Sequence, residues 1–504
     1  MRRKLLAAAM GMLCAAAVFS GCGGGQQAQS AKADKHLNVG LYWLGETADP
    51  AHAWDGWTIT RIGAGETLVT VTDKMEFAGQ LADKWENVSP TTWKFHIREK
   101  VKFQNGDDMT PEMVKASLER TLKESERSQK SSKIKEIKVD GQNLIIETSE
   151  PNAALLATIT EPAFCIIDTK ADLSKAESTP VLTGPYQITK YTKNEEIDLK
   201  KNDNYWGGKT GLDSLTVKFI KDDGKRAMSL QSGELDMIQR MDTASRSLFA
   251  NDKYDIHETV GTRVYMMDMN VEGVLKDPHL RQAVASAINY NAIAEVEGNG
   301  ALPAGAPFPP SIPYAQTKNK QAFDANKVKT ELAAAGYTEK NAEGIYVKDG
   351  KPLSLSMAVW GNKSQMYEAI QAQLKESGID AKIVRIQEPD ISKVEAHDLT
   401  ETNWITAGTN DTYWFLDQVY RTGSRSNYGR YSNPEVDALL DKMYASFDTK
   451  DRQALAKKIA EKVVSDNVAI WLDYPANNIV TTKKVKNVPV FPIDYYVITK
   501  DITI

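Results

Sequence analysis

Alternating apolar and polar residues predict most of the strands of this chain. The segment LTGPYQITKYTKNEEIDLKKNDNYWGG, residues 182–208, shows the alternation clearly. Its apolar residues have the period of two half-buried strands joined by a polar turn: Tyr186 and Ile188 in the first, Ile197 and Leu199 in the second. The turn at residues 202–204 then directs the aromatic pair Tyr205-Trp206. This segment is therefore expected to form a hairpin that ends on two large rings.

The same pattern extends along the rest of the chain. Alternation predicts strands at residues 37–41, 93–97, 215–219, 263–270, 353–357, 383–386 and 470–472, and a hairpin at residues 134–148. Helices are expected to begin near Thr110-Pro111, Asp222, Asp277 and Ser432, and to cover residues 365–377 and 449–465. The strand–helix–strand order at residues 353–386 indicates a parallel α/β lobe.

Length and charge narrow the class of protein. A chain of 504 residues is too long for one core and predicts several domains. Its formal net charge is −5, so no basic field indicates a nucleic-acid partner. The 10 Trp and 19 Tyr would suit the walls of a ligand cleft, although core packing explains most aromatic residues in proteins.

The first residues have the character of a targeting signal. Three basic residues precede a short apolar run that ends Phe19-Ser20-Gly21-Cys22, which is too short to span a membrane. This ending resembles the bacterial lipobox, in which the cysteine receives lipid; the alternative is ordinary signal cleavage. We expect a signal peptide at residues 1–21, lipid on Cys22, and a flexible tether at residues 22–35. Cys165 is then the remaining internal cysteine, so no internal disulfide is expected.

Three motifs follow one another with the spacing of one protein family. They are GPY at residues 184–186, NDNYWGG at residues 202–208 and LQSGELDMI at residues 230–238. The segment WKFHIREKVKFQNGDDMTPEMVKASLERTL, residues 93–122, belongs to the same pattern. Together they resemble the extracytoplasmic solute-binding proteins of the peptide, nickel and opine ABC importers, solute-binding protein family 5. Most of these residues build turns and core, so they indicate the fold more strongly than the ligand.

The resemblance implies a bilobal α/β fold of the periplasmic-binding-protein type, type II, cluster C. Lobe I is expected to comprise residues 36–60, 180–268 and 480–504, with residues 61–179 inserted as an extra subdomain. Lobe II is expected at residues 269–479. The implied mechanism is hinge closure on a ligand, with the hinge near Leu182 and residues 264–270, followed by delivery to the permease and ATPase subunits of an importer. The receptor is expected to be a monomer.

Signatures of enzymes are missing from the sequence. It contains no GxxxxGK[ST], GxSxG or HExxH motif, and its six histidines lack the spacing of metal ligands. We therefore expect a receptor without catalytic residues or a cofactor. A lipid-anchored hydrolase, which would turn over its substrate, and a promiscuous chaperone-like peptide holder are the competing classes.

The family places ligand contacts on loops from both lobes, and three stretches match. The predicted contacts are His52, Trp54, Trp57 and Arg61 in the first stretch, Arg127 in the second, and Trp404, Asp411, Tyr413, Trp414, Arg425 and Tyr428 in the third. Aromatic walls with a few charged groups are typical of small-ligand clefts. Core packing of the tryptophans is the alternative.

Neither of the substrate motifs known in the family is complete in this chain. Peptide-binding members carry an aspartate, seven positions before the Phe-Leu pair, that holds the ammonium group of the peptide; counting back from Phe415 gives Gly408. The metal-ligating histidine of the nickel branch is also missing, with residues 423–425 around its place. Since Arg side chains would suit carboxylates and His52 would suit a metal, we favour a nickel- or cobalt-type chelate over an oligopeptide or dipeptide.

Overall fold

The computed structural model describes residues 35–360, 364–386, 396–409 and 411–504. The expected signal peptide, Cys22 and nearly all of the expected tether lie outside these residues. The described strands are β1 (His36–Leu41), β2 (Val69–Val71), β3 (Phe77–Gly79), β4 (Ala82–Ser89), β5 (Thr92–Ile97), β6 (Ile134–Asp140), β7 (Asn143–Thr148), β8 (Tyr186–Thr192), β9 (Glu196–Lys201), β10 (Ser214–Phe219), β11 (Met237–Gln239), β12 (Tyr254–Val260), β13 (Arg263–Met269), β14 (Leu302–Pro303), β15 (Glu339–Lys340), β16 (Tyr346–Lys348), β17 (Lys351–Pro352), β18 (Ser354–Val359), β19 (Asp380–Arg385), β20 (Leu399–Ile405), β21 (Ala469–Tyr474) and β22 (Ala476–Thr482).

The described helices occupy segments between these strands. They are α1 (Gly56–Arg61), α2 (Pro111–Glu124), α3 (Glu126–Ser132), α4 (Leu155–Ile159), α5 (Asp223–Gln231), α6 (Arg246–Phe249), α7 (Pro278–Ser286), α8 (Tyr290–Glu297), α9 (Ala325–Ala334), α10 (Ser364–Glu376), α11 (Tyr413–Tyr420), α12 (Pro434–Ala445) and α13 (Thr449–Ser465). The helix predicted to be capped by Ser432 is instead capped by Asn433, whose side chain accepts the Glu435 N–H at 2.9 Å. Asn433 directly precedes Pro434, and proline is favoured at the first helical position.

The first sheet has seven strands in the order β12-β22-β11-β1-β10-β9-β8. Strand β1 lies parallel to β10, from His36 opposite Ser214 to Leu41 opposite Phe219, and the predicted hairpin β8–β9 completes that edge. The alternating residues of these strands point into one buried cluster that includes Leu37, Val39 and Tyr186. The periodicity of the sequence thus identified the buried face correctly.

The second sheet has six strands in the order β14-β21-β13-β20-β18-β19. Strand β18 is parallel to both β19 and β20, as the strand–helix–strand order predicted. Strand β13 is antiparallel to its neighbours β20 and β21, so the sheet is mixed. Helices α7, α8 and α10 bury their apolar faces against it.

The strands β4 to β7, which lie in the chain between β1 and β8, form a separate four-stranded sheet. Its strand order is β4-β5-β7-β6, and α2 packs against it. Its junction with the first sheet is polar and buried. Gln104 accepts the Leu182 N–H and donates to the carbonyls of Ala64 and Tyr186. Glu66 accepts hydrogen bonds from Tyr205 Oη at 2.9 Å and Trp206 Nε1 at 2.8 Å, so the aromatic pair of the NDNYWGG motif fastens this junction.

The chain passes from the first sheet to the second at Gly261-Thr262 and returns at Pro475. The Gly261 N–H donates to the Pro475 carbonyl at 3.0 Å, and the Thr262 N–H donates to the Pro492 carbonyl at 3.0 Å. Asn477 Nδ2 lies 3.0 Å from the carbonyls of both Phe491 and Pro492. Three segments are therefore tied together where the two sheets meet.

Candidate functional site

The loop after β1 is held in shape by one carboxylate. Asp55 accepts the Thr47 N–H at 2.8 Å, the Glu46 N–H at 3.0 Å and the ring of His52, whose Nδ1 lies 2.8 Å from Asp55 Oδ2. The hydrogen bond that His52 makes to the Asp55 carboxylate is the main cause that raises the pKa of His52. The His52 side chain is 48% exposed, so its ring reaches solvent while its Nδ1 is fixed.

Two predicted tryptophans follow on this loop and pack around an ion pair. Trp54 is 49% exposed and lies edge-on to Trp57, with ring centroids 5.4 Å apart. The Arg127 guanidinium lies 3.9 Å from the Trp54 ring centroid and donates to Glu161 at 3.1 Å. Glu161 also accepts the Trp57 Nε1–H at 3.1 Å. Because Glu161 already neutralises Arg127, this part of the site is aromatic and close to neutral.

Arg61 differs from the other predicted contacts because it is 1% exposed. Its Nε donates to the Asp494 carbonyl at 2.7 Å and its Nη2 lies 2.5 Å from Asp494 Oδ2. The guanidinium lies between the rings of Trp43 and Trp57, 5.2 and 5.6 Å from their centroids. Arg61 therefore ties α1 to the C-terminal segment.

The third predicted stretch separates into structural and accessible residues. Asp411 pairs with Arg452, its Oδ2 lying 2.8 Å from Nε, and its Oδ1 accepts the Tyr413 N–H at 2.7 Å. Tyr413 donates to Asp417 at 3.1 Å. Trp414 is 58% exposed and lies 5.9 Å from Trp404, centroid to centroid. Of the remaining predicted contacts, Arg425 is exposed and Tyr428 half-buried.

The structure brings the first and third stretches together through Tyr495. Its ring centroid lies 5.0 Å from that of Trp57, and a Cβ atom at Gly408 would lie 3.5 Å from its hydroxyl. Trp57, Trp404 and Tyr413 pack against one apolar cluster that includes Tyr495. The aromatic site, as we name it, is therefore Trp54, Trp57, Trp404, Trp414 and Tyr495, with Arg127 and Glu161 beside it.

A cavity of about 940 Å³ lies between the two sheets. Residues of both sheets line it, notably Tyr42, Arg240, Arg263, Asn403 and Asp494. Arg263 Nη1 donates to Asn403 Oδ1 at 2.6 Å. Asp494 belongs to the cavity wall and pairs with Arg61, whose guanidinium lies against the ring of Trp57, so this ion pair links the cavity wall to the aromatic site.

Sequence reasoning missed Tyr495, Glu161, Asp494, Arg240 and Arg263. The charged and aromatic run Asp494-Tyr495-Tyr496 was the available signal for two of them. Glu161 stands in an apolar stretch just before Pro162. No local sequence pattern marks Arg240 or Arg263 as a site residue. Each lies at the end of a strand, and only the folded chain brings that end to the cavity.

Within the described ranges, no cluster of three or more His, Cys, Asp or Glu residues could hold a metal ion. The described residues also include no helix with the length and hydropathy needed to cross a bilayer. Cys165 is a buried free thiol.

Comparison with known proteins gives a consistent family. Residues 76–427 match the model of the bacterial extracellular solute-binding proteins, family 5 middle. The nickel-binding protein NikA of Staphylococcus aureus is 28% identical over 494 residues, which cover 97% of either chain. Its crystal structure with Ni(L-His)2 has a TM-score of 0.74 at 27% identity and covers 93% of this chain and 100% of that one.

Two further relatives add to this comparison. The crystal structure of a nickel ABC transporter from Bacillus halodurans has a TM-score of 0.85 at 29% identity, covering 94% of this chain and all of that one. The glutathione-binding protein GsiB of Salmonella paratyphi A is 27% identical over 422 residues, 78% of either chain. The bilobal α/β fold expected from the sequence is confirmed by these structures.

Proposed function

The chain belongs to the bacterial extracellular solute-binding proteins of family 5, and from this membership we propose that its cargo is a nickel- or cobalt-type metal chelate. The protein is an extracytoplasmic substrate-binding protein of an ABC importer, in a family of receptors and not of enzymes. Two nickel proteins are among its relatives, at 28% and 29% identity.

One observation carries the choice of a chelate: the pairing of His52 with Asp55 beside Trp54 and Trp57. Metal-ligating histidines typically donate one ring N–H to a carboxylate, which leaves the other nitrogen with a lone pair for the metal. Asp55 fixes Nδ1 in this way and leaves Nε2 available on an exposed ring. One imidazole supplies one ligand, so a small organic chelator would supply the others and stack on the tryptophans.

The contact between His52 and Asp55 also predicts that protons compete with the metal for the His52 ring. A metal binds the neutral imidazole, and Asp55 raises the pKa of His52 above its ordinary value. Affinity for the chelate is therefore expected to fall as the pH decreases through this raised pKa.

A short peptide is the second candidate, and the GsiB relative supports it. The cavity of about 940 Å³ is large enough for a small peptide. Gly408 argues against a free N-terminus at the family position, because it offers no carboxylate for the ammonium group.

Calorimetry decides between these cargoes. Ni(II) with L-histidine and di- to pentapeptides are titrated into the wild type, His52→Ala and His279→Ala. His279 is the matched control, since it is also exposed and pairs with a carboxylate, Glu331, at 2.7 Å on another face. We expect His52→Ala to weaken the nickel complex by tenfold or more and His279→Ala to leave it unchanged. Submicromolar peptide binding that is unchanged by added chelators and by His52→Ala would instead favour a peptide as the cargo.

We propose that closure occurs about the crossing at Gly261-Thr262, Pro475 and the 491–492 segment. Leu182, which the sequence suggested as a hinge, is bonded to Gln104 at the junction with the four-stranded sheet. That junction does not connect the two large sheets. The Asn477 side chain supports this hinge, because it hydrogen-bonds the segment after Pro475 to the 491–492 segment.

The proposal also includes a lipid anchor on Cys22, supported by the Phe19-Ser20-Gly21-Cys22 sequence. A single acyl chain binds membranes only marginally, so several chains on this cysteine are expected. The receptor would then work as a tethered monomer facing the periplasm or the exterior.

A further inference from the structure

The first described residue, Lys35, lies in the middle of one end of the first sheet. It directly precedes β1, and its carbonyl accepts the Asp213 N–H at 3.0 Å. Strand β1 is the fourth of the seven strands, and neighbouring strands lie about 4.8 Å apart, so this end of the sheet is roughly 30 Å wide. We name it the tether end: the end of the first sheet at which β1 begins. The loop that carries Trp54 and Trp57 follows the other end of β1.

Lysines stand at the strand ends on both sides of Lys35. Lys253 directly precedes β12, and its carbonyl accepts the N–H of Lys483, which directly follows β22. Lys200 lies near the end of β9, opposite the first residue of β10. The register of the strands thus gathers lysines from separate segments of the chain at the tether end.

The C-terminal segment brings further lysines to the tether end. Lys486, which follows β22, exchanges backbone hydrogen bonds with Thr503 at 2.8 and 3.1 Å. The Gly211 N–H donates to the Lys500 carbonyl at 2.7 Å, so the loop before β10, which carries Lys209, lies against the same segment.

Four ion pairs among the described residues neutralise part of the charge at the tether end. They are Lys201–Asp213 at 3.0 Å, Lys483–Asp255, Lys484–Asp236 at 2.8 Å and Lys500–Asp501 at 2.6 Å.

Other lysines at the tether end keep their charge. In the described part of the chain, five of them have no carboxylate within 4.0 Å: Lys35, Lys200, Lys209, Lys253 and Lys486. Lys35 is half-buried and the others are exposed. The carboxylates of Asp203, Asp252 and Ile504 offset part of this charge. The tether end therefore carries an excess of positive charge in a chain whose formal net charge is −5.

We propose that the tether end rests on the anionic phospholipid headgroups of the membrane that holds the anchor. This inference rests on the lipid anchor proposed on Cys22. Residues 23–34 join Cys22 to Lys35, and a chain of that length spans at most about 43 Å when fully extended. The anchor therefore keeps the tether end close to the bilayer, where lysines are attracted to anionic lipids.

This contact would orient the receptor. The tether end and the loop of Trp54 and Trp57 lie at opposite ends of β1, so a receptor resting on its lysines directs that loop away from the bilayer. Attraction between exposed charges is screened beyond about 10 Å at 0.1 M salt, so the contact is weak and reversible. The receptor would thus wait with its aromatic site facing the medium and leave the surface when it docks on the permease.

Energy transfer to an acceptor lipid measures this orientation in the lipidated protein on vesicles. Cys165 is buried and Cys22 would carry the lipid, so an introduced cysteine takes the donor dye. The dye is placed on Asn251→Cys at the tether end or on Lys193→Cys in the turn between β8 and β9, at the opposite end of the sheet. The vesicles are pure phosphatidylcholine or an equimolar mixture with phosphatidylglycerol.

We expect the two labels to respond in opposite directions. Relative to neutral vesicles, the anionic vesicles should increase energy transfer from Asn251→Cys and decrease it from Lys193→Cys at about 0.1 M salt. Both changes should vanish at about 1 M salt, where the screening length is about 3 Å. A change of the same sign for both labels would mean that the whole protein moves without orienting, and would overturn the proposal.

Matched triple variants separate the tether end from overall charge. Replacing Lys200, Lys253 and Lys486 by Gln should weaken the surface attraction about a hundredfold and abolish both changes. The control replaces Lys327, Lys329 and Lys375 by Gln; these lysines are exposed and lie on α9 and α10, beside the second sheet. It loses the same charge and should keep both changes. Equal behaviour of the two triple variants would refute the assignment to the tether end.

Retention on neutral vesicles at about 1 M salt tests the anchor alone, because charge attraction is screened there. A protein that is not retained lacks the anchor. Its cosedimentation with the anionic vesicles at about 0.1 M salt then tests the tether end, and the first triple variant should bind more weakly than the control. Equal binding of the two would overturn the proposal in that case also.

Discussion

Replacing Gly408 with aspartate should restore affinity for peptides with a free N-terminus. Gly408 is half-buried, and its φ lies outside the left-handed region. A Cβ atom there would lie 3.5 Å from the Tyr495 hydroxyl and 4.0 Å from Cγ2 of Ile405, which is ordinary van der Waals contact. A Cβ atom at this position therefore fits without displacing its neighbours. Removing a glycine at a compatible position also stabilises the fold by roughly 0.4–1 kcal/mol through the unfolded chain.

The expected gain in affinity follows from the charge of the new group. One carboxylate oxygen can accept the Tyr495 hydroxyl, which leaves the other for the ammonium group of a peptide. A charge-assisted hydrogen bond of this kind contributes about 1.5–3 kcal/mol, which is roughly ten- to 150-fold in Kd. The gain should be smaller at high salt, because the site is only half-buried.

Calorimetry with a tripeptide and its N-acetylated form measures this gain for the wild type, Gly408→Asp and Gly408→Asn. The asparagine variant has the same shape without the charge and separates electrostatics from packing. We expect the free tripeptide to gain affinity in Gly408→Asp alone and the acetylated form to gain none. Equal gains for both peptides, or a gain with asparagine as large as with aspartate, would refute the assignment of position 408 to the ammonium group.

Three further expectations concern the anchor, the closure and a buried acid. Cys22→Ala should release the protein from membranes in a fractionation experiment, and continued retention would contradict the lipid anchor. Saturating Ni(II) with L-histidine should raise the Tm, because a hundredfold excess over Kd adds ~2.7 kcal/mol to the free energy of unfolding. Small-angle scattering should show that the protein contracts on binding. Tight binding without a change in shape would exclude the hinge mechanism. Burial raises the pKa of Glu66 from 4.5 to about 7, so the folded form holds this proton more tightly than the unfolded form. The stability contribution of Glu66 is full below pH 4.5 and falls by about 3 kcal/mol as the pH rises to 7. Glu66→Gln should remove that part of the pH dependence in denaturant titrations, while the similar decrease from Asp268, whose pKa burial also raises to about 7, remains.

The sequence by itself determined the elements and the family. Alternation at residues 186–199 predicted the hairpin β8–β9, and the same period gave β1, β5 and β13, because a strand that is buried on one face must present apolar residues at every second position. Thr110-Pro111 predicted the start of α2, where the Thr110 hydroxyl accepts the Met113 N–H. The motifs at residues 184–238 indicated the fold because they form turns and junctions that the fold requires.

The candidate site was predicted in part, through its aromatic residues. Trp54 contacts Trp57, Trp404 contacts Trp414, and Trp57 and Trp404 pack against the same apolar cluster, while His52 lies on the same loop as the first two. Their roles as ligand contacts stay predictions. The sequence could not show that Asp411 is engaged by Arg452 or that Arg127 is neutralised by Glu161, because each pairing joins residues far apart in the chain.

Only the tertiary structure decided which charges remain available for a ligand. Arg61, Arg127 and Arg240 are chemically alike, and nothing in their local sequences distinguishes them. The fold gives Arg61 the carboxylate of Asp494 and Arg127 that of Glu161, while it sets Arg240 against the ring of Tyr42 at the edge of a cavity. Periodicity is a local property and reports which face of an element is buried. Electrostatic pairing depends on which distant segments the chain brings within a few ångströms, and the crossing of the two sheets sets that distance.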